Sequence, residues 1–335
     1  MANILDVARL AGVSPTTAKR AIRDPDRLAP ATLERVLKAI ETLQYEPDQV
    51  ASALRRGHSN TIGLIIGSIV EPFFADITRA IGPRLREHGY SVIVADNEYR
   101  SDLELAHLRA LSGNRIAGLI IRSGYGQSNL DYLARLNRRG VAIVELDYFA
   151  PGSPYSHVML DNPGAVTAGV DHLVAYGHER IAALGKYSDL NRDERVQTFP
   201  QAMAAHVLRV RPEYALPAAP VESDAFELTR KLMALREPPT ALFALTGTMA
   251  TGAYRALRAA GLRVPEDVSL LGFDNYPWME LLTPAIDTLA QPVDKMGEES
   301  VRILFRLMRE GEDAHVERVR LPAELIERGS VIRAG

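Results

Sequence analysis

Apolar residues follow a repeating pattern along most of the chain. From about residue 61 onward, short apolar runs typical of buried strands alternate with segments whose apolar residues recur at helical spacing. The predicted strands include Ile62–Ile66, Ser91–Ala95, Gly118–Arg122, Val141–Leu146, Ile181–Gly185, Ala241–Leu245 and Val268–Gly272. The predicted helices between them include Phe73–Glu87, Leu103–Leu111, Leu130–Arg138, Ala165–Tyr176 and Met249–Ala260.

This alternation predicts an α/β body in which helices cover parallel strands. The strands are too many for one sheet of this type, so we predict two successive doubly wound lobes that divide near Asp161. Ligands in such lobes bind beyond the carboxyl ends of the strands.

The first 46 residues have a different, all-helical pattern. Asn3 and Asp6 have the spacing of a capping box, and Gly12 is the residue expected just past a helix end. Ser14 followed by Pro15 predicts the start of a second helix. Leu5 and Ala8, with Val7, would face inward on the first helix. Two short helices joined by a glycine turn indicate a helix-turn-helix.

The second helix is the segment expected to contact DNA. Ala18, Ala21 and Ile22 can face a small core. The polar residues Thr16, Thr17, Lys19, Arg20 and Arg23 can face outward. Arg20 can bond bidentately to a guanine edge in the major groove, and hydroxyl groups suit phosphates or bases.

A third helix is predicted after Pro30, with apolar residues at helical spacing that would pack on the other two. These residues are Leu33, Val36, Leu37, Ile40 and Leu43. The alternative interpretation of residues 1–46 is a small three-helix bundle whose basic face is merely solvated.

Residues 47–60 are predicted to form a short helix and a polar linker. Val50, Ala51 and Leu54 lie on one helical face, followed by Arg55 and Arg56. A helix this short is marginal in water without a partner. One interpretation is a flexible linker. The other is a hinge helix that folds only on DNA, with Leu54 as an apolar wedge in the minor groove.

Composition and charge narrow the functional classes. The 335 residues include no cysteine, which excludes disulfides, thiolate zinc sites and a cysteine nucleophile. Residues 1–60 carry nine Lys/Arg and seven Asp/Glu, whereas the rest carry thirty and thirty-five. A mildly basic head on an acidic body permits nucleic-acid binding by the head. We expect no signal peptide and no membrane span.

Catalytic motifs are scarce. The sequence lacks a G-x-x-x-x-G-K-[ST] loop, a G-x-S-x-G elbow and an H-E-x-x-H motif, and Gly124-Tyr125-Gly126 lacks the third glycine of a dinucleotide fingerprint. His172 and His178 are better explained as structural residues than as metal ligands. We therefore expect a binding protein that is not an enzyme, with no cofactor and no metal site.

With head, hinge and two lobes in this order, the chain resembles the LacI/GalR family of bacterial transcriptional regulators from end to end. The stretches that carry the resemblance are Ile4-Leu5-Asp6-Val7-Ala8 through Gly12-Val13-Ser14 with Thr17 and Arg20; Tyr45-x-Pro47 with Val50-Ala51 and Leu54; Asp161-Asn162 with Gly164, His172-Leu173 and Gly177-His178; Val264-Pro265-x-Asp267-Val268-Ser269 leading to Gly272-Phe273-Asp274; Thr283-Pro284; Gln291-Pro292; and Leu325-Ile326-x-Arg328-x-Ser330.

The resemblance implies an organisation as well as a fold. It implies a helix-turn-helix domain (1–46), a hinge helix and linker (47–60) and an effector-binding and dimerisation domain (61–335) of the periplasmic-binding-protein-like type. Its first lobe would comprise about 61–160 plus 291–320, and its second about 161–290 plus 321–335. No leucine heptad follows Ser330, so we expect a homodimer and not a tetramer.

The resemblance also implies a function: a cytoplasmic, nucleoid-associated repressor on a palindromic double-stranded operator, controlled by a sugar-like molecule bound between the lobes. Ligand-driven closure would bias the hinge between ordered and frayed states. The DNA-binding residues implied are Ser14, Pro15, Thr16, Thr17, Lys19, Arg20, Arg23, Leu54 and Arg55. The effector-binding residues implied are Phe73, Asp147, Arg195, Thr246, Asp274 and Gln291.

Some residues depart from the family pattern. Ala18 and Lys19 replace a usual valine and serine, and Thr246-Gly247 replaces a usual Asn-Asp pair. Arg122, Arg192 and Arg195 could suit a sugar acid or phosphosugar instead of a neutral sugar. Arg195 and Asp274 could alternatively form a salt bridge across the cleft.

Two other classes of protein compete with this interpretation. An enzyme on a doubly wound fold would need catalytic motifs, which this sequence lacks. A transporter's solute-binding protein would carry an export signal and no DNA-binding head.

Overall fold

The structure is a computed structural model of the chain that describes residues 2–45, 59–185, 193–214, 221–311 and 314–335. It divides into two units, Met1–Ser59 and Asn60–Gly335, which are described separately. Residues 47–58 of the predicted hinge and linker, with Leu54 and Arg55, lie outside the described residues, as does Arg192.

The first unit is a helix-turn-helix followed by a third helix, as the sequence predicts. The helices are α1 (Ile4–Ala11), α2 (Pro15–Arg23) and α3 (Pro30–Thr42). Asn3 and Asp6 form the expected capping box, and Gly12 ends α1 with a φ of 65° in the left-handed region. Because glycine tolerates that conformation, the chain can turn at once into α2, which Ser14 caps.

Small side chains form the core of this first unit. The buried residues are Val7, Ala8, Ala11, Ala18, Ala21, Val36 and Ala39. The predicted inward positions of Leu5, Ile22 and Leu37 are wrong, since all three are exposed. Successive helical residues are turned by about 100°. With Val7, Ala21 and Val36 facing inward, these leucine and isoleucine side chains point away from the core.

The second unit contains two sheets. The first has the strand order β10-β5-β4-β3-β1-β2, and every pairing in it is parallel. Its strands are β1 (Thr61–Ile66), β2 (Ser91–Asp96), β3 (Gly118–Ile121), β4 (Ala142–Leu146), β5 (Ser156–Leu160) and β10 (Arg318–Leu321).

The second sheet has the order β11-β9-β8-β7-β6, parallel except for the antiparallel edge pair β11–β9. Its strands are β6 (Ile181–Leu184), β7 (Ala241–Ala244), β8 (Ser269–Phe273), β9 (Asp287–Ala290) and β11 (Glu324–Ile326). Most central strands are apolar on both faces and buried, which is expected where helices cover a parallel sheet on both sides. The prediction of two doubly wound lobes is confirmed.

The helices of the second unit pack on these sheets. They are α4 (Pro72–Glu87), α5 (Ser101–Gly113), α6 (Leu130–Asn137), α7 (Asn162–Ala175), α8 (Glu194–Ala205), α9 (Glu222–Met233), α10 (Gly247–Ala259) and α11 (Val293–Glu310). None of the described helices is long and apolar enough to cross a membrane.

The chain passes between the two lobes three times: from β5 to α7, from β9 to α11, and from β10 to β11. A polar residue lies at or near each passage. Asn162 begins α7 after β5, Gln291 follows β9, and Arg320 is the penultimate residue of β10. A rotation of one lobe relative to the other must change the backbone conformation at these passages.

The buried carboxylate of Asp287 fixes the C-terminal segment. One oxygen accepts hydrogen bonds from the backbone N–H groups of Arg328, Gly329 and Ser330 at 2.7–2.9 Å. The other lies 3.1 Å from Nε2 of His172. Burial raises the pKa of Asp287, but these bonds outweigh burial and hold the pKa below its usual range.

We expect Asp287→Ala to lower the free energy of unfolding by about 3 kcal/mol, because His172, the buried N–H of Ser330 and the partly buried N–H groups of Arg328 and Gly329 lose their partner. Denaturant unfolding at pH 7 measures the change. Since the folded pKa is depressed, this stabilisation is present above the unfolded pKa and is lost as pH falls through the folded value. The difference in the free energy of unfolding between Asp287→Ala and the parent should therefore become smaller at acidic pH.

The matched control is Asp267→Ala, which removes an exposed ion pair with Arg263. We expect a much smaller loss from it. Equal losses in the two variants would contradict the role assigned to Asp287.

Candidate functional site

The predicted DNA-contacting residues of α2 lie on one exposed face. Ser14, Pro15, Thr16, Lys19 and Arg20 are exposed and Thr17 is half-buried. Ala18 and Ala21, on the opposite side, belong to the core. The side chain of Arg23 lies outside the described residues. The arrangement leaves the outer face of α2 available to a groove of DNA.

Two hydroxyl groups organise the start of this helix. Ser14 Oγ accepts a hydrogen bond from the Thr17 backbone N–H at 3.1 Å and lies 2.8 Å from Thr17 Oγ1. A helix N-terminus with exposed hydroxyl groups favours a phosphate, because the helix dipole and the N–H groups both attract negative charge.

A cavity of about 280 Å³, here called the inner cavity, lies between the two lobes. All six residues predicted to bind the effector line it: Phe73, Asp147, Arg195, Thr246, Asp274 and Gln291. The structure adds residues that sequence reasoning did not assign to the site: Glu71, Phe74, Tyr99, Tyr125, Tyr148, Phe149, Pro151, Met159, Asn162, Asp193 and Glu194. The lining residues mostly follow the carboxyl ends of strands, where ligands of doubly wound sheets bind.

Two lining carboxylates have unusual backbone conformations. Asp147 follows β4 with a φ of 65°, and Asp274 follows β8 with a φ of 73°. Residues other than glycine seldom adopt the left-handed region, and such exceptions cluster at functional sites. Here the conformation turns each strand end so that its carboxylate lines the cavity.

The side of the cavity formed by the second lobe is held in place by hydrogen bonds. Asp274 accepts one from the Gly247 N–H at 2.8 Å and one from the Gln291 amide at 2.6 Å. Arg195 donates to Asn162 Oδ1 at 2.7 Å and to the Leu245 carbonyl at 2.8 Å. Its guanidinium also lies 4.0 Å from the centre of the Phe273 ring.

The alternative of a salt bridge across the cleft between Arg195 and Asp274 is wrong. The two residues belong to the same lobe, and each has the separate partners just described. Both groups can therefore present their remaining hydrogen-bonding capacity to a ligand. Gln291 Oε1 is buried and accepts no hydrogen bond from the described residues.

The presence of Gly247 where the family usually has an aspartate has a structural reason. A Cβ atom at this position would lie 2.6 Å from the ring of Tyr276. The ring therefore occupies the space that the side chain of the usual aspartate would need. The neighbouring Thr246 caps α10 through its hydroxyl, which accepts from the Met249 N–H at 3.1 Å.

Arg122 forms the centre of an aromatic cluster on the first lobe. Its guanidinium lies 4.4–4.8 Å from the ring centres of Tyr99, Tyr125 and Tyr148. It donates to the Tyr125 hydroxyl at 2.7 Å and to the Ser123 carbonyl at 2.6 Å, and it lies 3.5 Å from Asp147. These contacts cover the guanidinium. Arg122 is therefore less available to an acidic ligand than the sequence analysis expects.

Burial raises the pKa of three carboxyl groups in the first lobe. Burial raises the pKa of Glu71 to about 7, although a hydrogen bond from the Tyr99 hydroxyl opposes the shift. Glu145 is buried and accepts hydrogen bonds from Ser123, Ala150 and Ser153, and burial raises its pKa to about 7 as well. Burial also raises the pKa of Asp147, against the nearby charges of Arg122 and Arg195.

The histidines singled out in the sequence have structural partners. His172 contacts Asp287, and His178 bonds to Thr240 and to the Ile332 carbonyl. Among the described residues, no group of three or more His, Asp or Glu side chains is arranged to hold a metal ion.

The raised pKa of Glu71 predicts a pH-dependent stability. The carboxyl is neutral in the folded protein at pH 5 and must ionise against burial as pH rises through about 7, so its contribution to stability is lost there. We expect Glu71→Gln to be more stable than the parent by about 2 kcal/mol at pH 8 and nearly equal to it at pH 5. Thermal unfolding across this range measures the difference. The control is Glu98→Gln, an exposed glutamate at the same edge, which should follow the parent.

The comparisons with known proteins agree with this architecture. A family model described as bacterial regulatory proteins, lacI family, matches residues 3–48, and a periplasmic binding protein-like domain matches residues 170–331. The chain is 31% identical to the HTH-type transcriptional repressor PurR of Mannheimia succiniciproducens, over 99% of both chains.

Solved structures agree as well. The lac repressor dimer bound to operator and the anti-inducer ONPF superposes with a TM-score of 0.85 at 26% identity, covering 99% of both chains. The complex of the transcriptional regulator CelR with cellobiose superposes with a TM-score of 0.72 at 28% identity, and the match covers 98% of this chain and 100% of that one. The head, the two lobes and the cavity between them, together with this identity over the full length, show that the chain belongs to the lacI family of bacterial DNA-binding transcriptional regulators.

Proposed function

We propose that this regulator is a cytoplasmic repressor that binds a palindromic operator as a homodimer and is controlled by a hydroxyl-rich small molecule in the inner cavity. The observation that carries the proposal is the convergence of six sequence-predicted residues on one cavity between the lobes. The protein acts by binding and not by catalysis, which its similarity to known repressors supports.

We assign the reading of bases to Pro15, Thr16 and Arg20, and contacts with phosphates to Ser14 and Thr17. Lys19 and Arg23 would add positive charge beside the DNA. Their placement on a short exposed helix supports this division, because such a helix can enter the major groove with its first residues on base edges. Leu54 and Arg55 would act in the minor groove as parts of a hinge helix.

The edge strand β2 supports the homodimer. Its residues Ile93 and Val94 are 39% and 37% exposed, which is unusual for apolar residues of a sheet. An unpaired edge with apolar side chains is a site for association with another chain. The similar lac repressor structure is a dimer on its operator.

The charges of the inner cavity favour a neutral, hydroxyl-rich ligand over a sugar acid or phosphosugar. Glu71, Asp147 and Asp274 offer carboxyl oxygens, whereas Arg122 is covered by three tyrosine rings. Hydroxyl groups can donate to these carboxylates and accept from Arg195. A ligand carboxylate or phosphate cannot donate to these oxygens, and any of the three that is ionised would repel its charge.

A polar network connects the cavity with the passages between the lobes. Arg320 on β10 donates two hydrogen bonds to Glu194, at 2.7 and 3.0 Å. Glu194 also accepts a hydrogen bond from the side-chain amide of Asn162, and the Oδ1 atom of that amide accepts one from Arg195. Ligand contact with Arg195 would thus be transmitted to two of the three passages, and we assign to Arg320 a role in coupling the two lobes.

The first test is Arg20→Ala. We expect loss of about 1–3 kcal/mol of discrimination between the operator and a scrambled duplex, because the bidentate contact with a base is removed. Fluorescence anisotropy at fixed salt measures both affinities, and ligand binding should be unchanged. The control is Lys38→Ala, which removes an exposed charge of the same sign from α3. An operator preference that survives in Arg20→Ala would contradict the assignment.

The second test is Arg320→Gln. We expect the variant to retain ligand binding but to lose most of the ligand's effect on operator affinity, an effect that is typically 5- to 150-fold, about 1–3 kcal/mol. Operator titrations with and without ligand measure it. Arg318→Gln, an exposed arginine on the same strand and face, is the control and should respond as the parent does. The coupling role is wrong if the two variants respond alike.

A further inference from the structure

The amino ends of the parallel strands form the edge of the first sheet that lies away from the inner cavity. The chain enters the second unit at this edge, where Asn60 precedes β1 and its carbonyl accepts a hydrogen bond from the Ser91 N–H at 2.9 Å. β1 pairs with β3, and β3 pairs with β4, both in parallel. The segments that lead into β3 and β4 therefore lie beside the point at which the head is attached.

Five exposed arginines lie in these two segments, near the ends of α5 and α6 and in the turns that follow. They are Arg109, Arg115, Arg135, Arg138 and Arg139, here called the basic edge. Arg115 and Arg139 each stand three positions before the paired residues Gly118 and Ala142. Arg139 also donates a hydrogen bond to Ser112 Oγ on α5, at 3.4 Å. The two turns are therefore neighbours, and their charges are concentrated in one place.

Acidic side chains do not compensate the charge of the basic edge. Residues 105–120 and 132–144, which contain all five arginines, include no aspartate or glutamate. Glu104 and Glu145, next to these segments in sequence, are buried. Asp131 is exposed, but it lies at the opposite end of α6. Because the chain after residue 60 carries thirty Lys/Arg and thirty-five Asp/Glu, the basic edge is a local excess of positive charge on an acidic body.

The lack of ion pairs distinguishes the basic edge from other exposed arginines of the second unit. Among the described residues, Arg138 and Arg139 have no carboxylate partner within 4 Å. In contrast, carboxylates lie 2.8–3.1 Å from the guanidinium groups of Arg79, Arg230 and Arg263. The charges of the basic edge are therefore available to a partner outside the chain.

The helix dipole explains only part of this concentration of charge. It favours a cation near a helix C-terminus, which accounts for one arginine at the end of each helix. It does not account for Arg135, Arg138 and Arg139 together, because like charges three positions apart at a helix end repel each other. A bound polyanion would offset that repulsion.

We propose that the basic edge binds the phosphate backbone of the DNA that flanks the operator. A duplex suits this surface because it presents about one negative charge per 1.7 Å of its axis, and a guanidinium can bind a phosphate through two parallel hydrogen bonds. Backbone contacts carry no sequence information, so the basic edge adds affinity and leaves the choice of operator to the head. This inference goes beyond the proposed function, which places every DNA contact in the head and the hinge.

The covalent connection to the head supports DNA as the partner. The head matches the lacI family of bacterial regulatory proteins and is joined to the second unit at Asn60, beside the basic edge. The thirteen residues from 46 to 58 span at most about 45 Å when fully extended. DNA that the head binds is thus presented to the basic edge at a high effective concentration.

The first test compares two double variants of the full-length protein on a scrambled duplex of about 40 base pairs. Arg138→Gln with Arg139→Gln neutralises part of the basic edge. Arg209→Gln with Arg236→Gln is the matched control, because it removes the same charge from exposed positions on the second lobe. Fluorescence anisotropy measures the affinity of each protein between about 50 and 200 mM salt.

We expect the basic-edge variant to bind on the order of tenfold more weakly than the parent at ~100 mM salt. The slope of the logarithm of its affinity against the logarithm of salt concentration should be shallower by about two, because two phosphate contacts are lost. The control should keep the parent's slope. In both double variants the ratio of operator affinity to scrambled-duplex affinity should be unchanged, because the head is intact.

The lack of cysteine in the chain permits a second measurement. Arg138→Cys introduces a single thiol, to which a photoactivated cross-linker can be attached, and Arg209→Cys is the control. Both positions are exposed, so we expect both variants to fold, which their melting temperatures verify. On the same duplex we expect Arg138→Cys to cross-link to DNA and Arg209→Cys not to do so.

Three results would overturn the inference and leave the role of the head intact. One is an equal salt slope in the two double variants. Another is cross-linking from Arg138→Cys that is no stronger than from Arg209→Cys. The third is a loss of operator discrimination in the basic-edge variant, since these arginines would then support the head and not the flanking contact. If the parent itself binds no duplex, the proposed function is wrong and the inference falls with it.

Discussion

Parallel strand pairing is the constraint on which the inner cavity depends. In each sheet the parallel strands end along one edge, so the residues that follow them converge although they are far apart in sequence. Glu71 and Gln291 line the same cavity although they are 220 positions apart. The left-handed conformations of Asp147 and Asp274 complete the convergence by turning two carboxylates toward the space between the lobes.

The same topology places the inner cavity beside the passages between the lobes. Because the chain crosses between the sheets three times, residues at the passages can contact both the cavity and the opposite lobe. Asn162 and Gln291 bond to the cavity-lining residues Arg195 and Asp274, and Arg320 joins β10 to the start of α8. A ligand that prefers one arrangement of these passages can shift the population of lobe arrangements by its differential affinity. The cavity and the passages therefore form one physical unit.

Local patterns in the sequence were sufficient for the helices of the head, for seven of the eleven strands that the structure describes and for the two-lobed fold, but β5, β9, β10 and β11 were not predicted. Gly12, the cap at Ser14 and the apolar runs act over a few residues, so they can be interpreted without tertiary information. The inward positions of Leu5, Ile22 and Leu37 were wrong because several apolar residues compete for the same small core, and periodicity alone does not decide among them.

The composition of the inner cavity was only partly predictable. The six predicted residues came from the family resemblance, and the structure brings them together. The tyrosine rings around Arg122, the hydrogen bond from Tyr99 to Glu71, and the ring of Tyr276 over Gly247 arise from contacts between distant segments. These contacts leave no local signal. Arg122 illustrates the difference, since its charge suggested an anion site and its tertiary surroundings cover that charge.

The most direct test of the account is selection of bound sequences from a pool of random duplexes by the full-length protein, at a fixed ~150 mM salt because affinity depends strongly on ionic strength. The account predicts enrichment of a palindrome with a central pyrimidine–purine step, since a dimer presents two recognition helices related by twofold symmetry and a flexible step is easily opened. The occupancy of that palindrome should change when a ligand fills the inner cavity. Salt-sensitive binding without any enriched sequence, both with and without a panel of hydroxyl-rich ligands, would contradict the claim that this protein is a ligand-controlled, sequence-specific regulator.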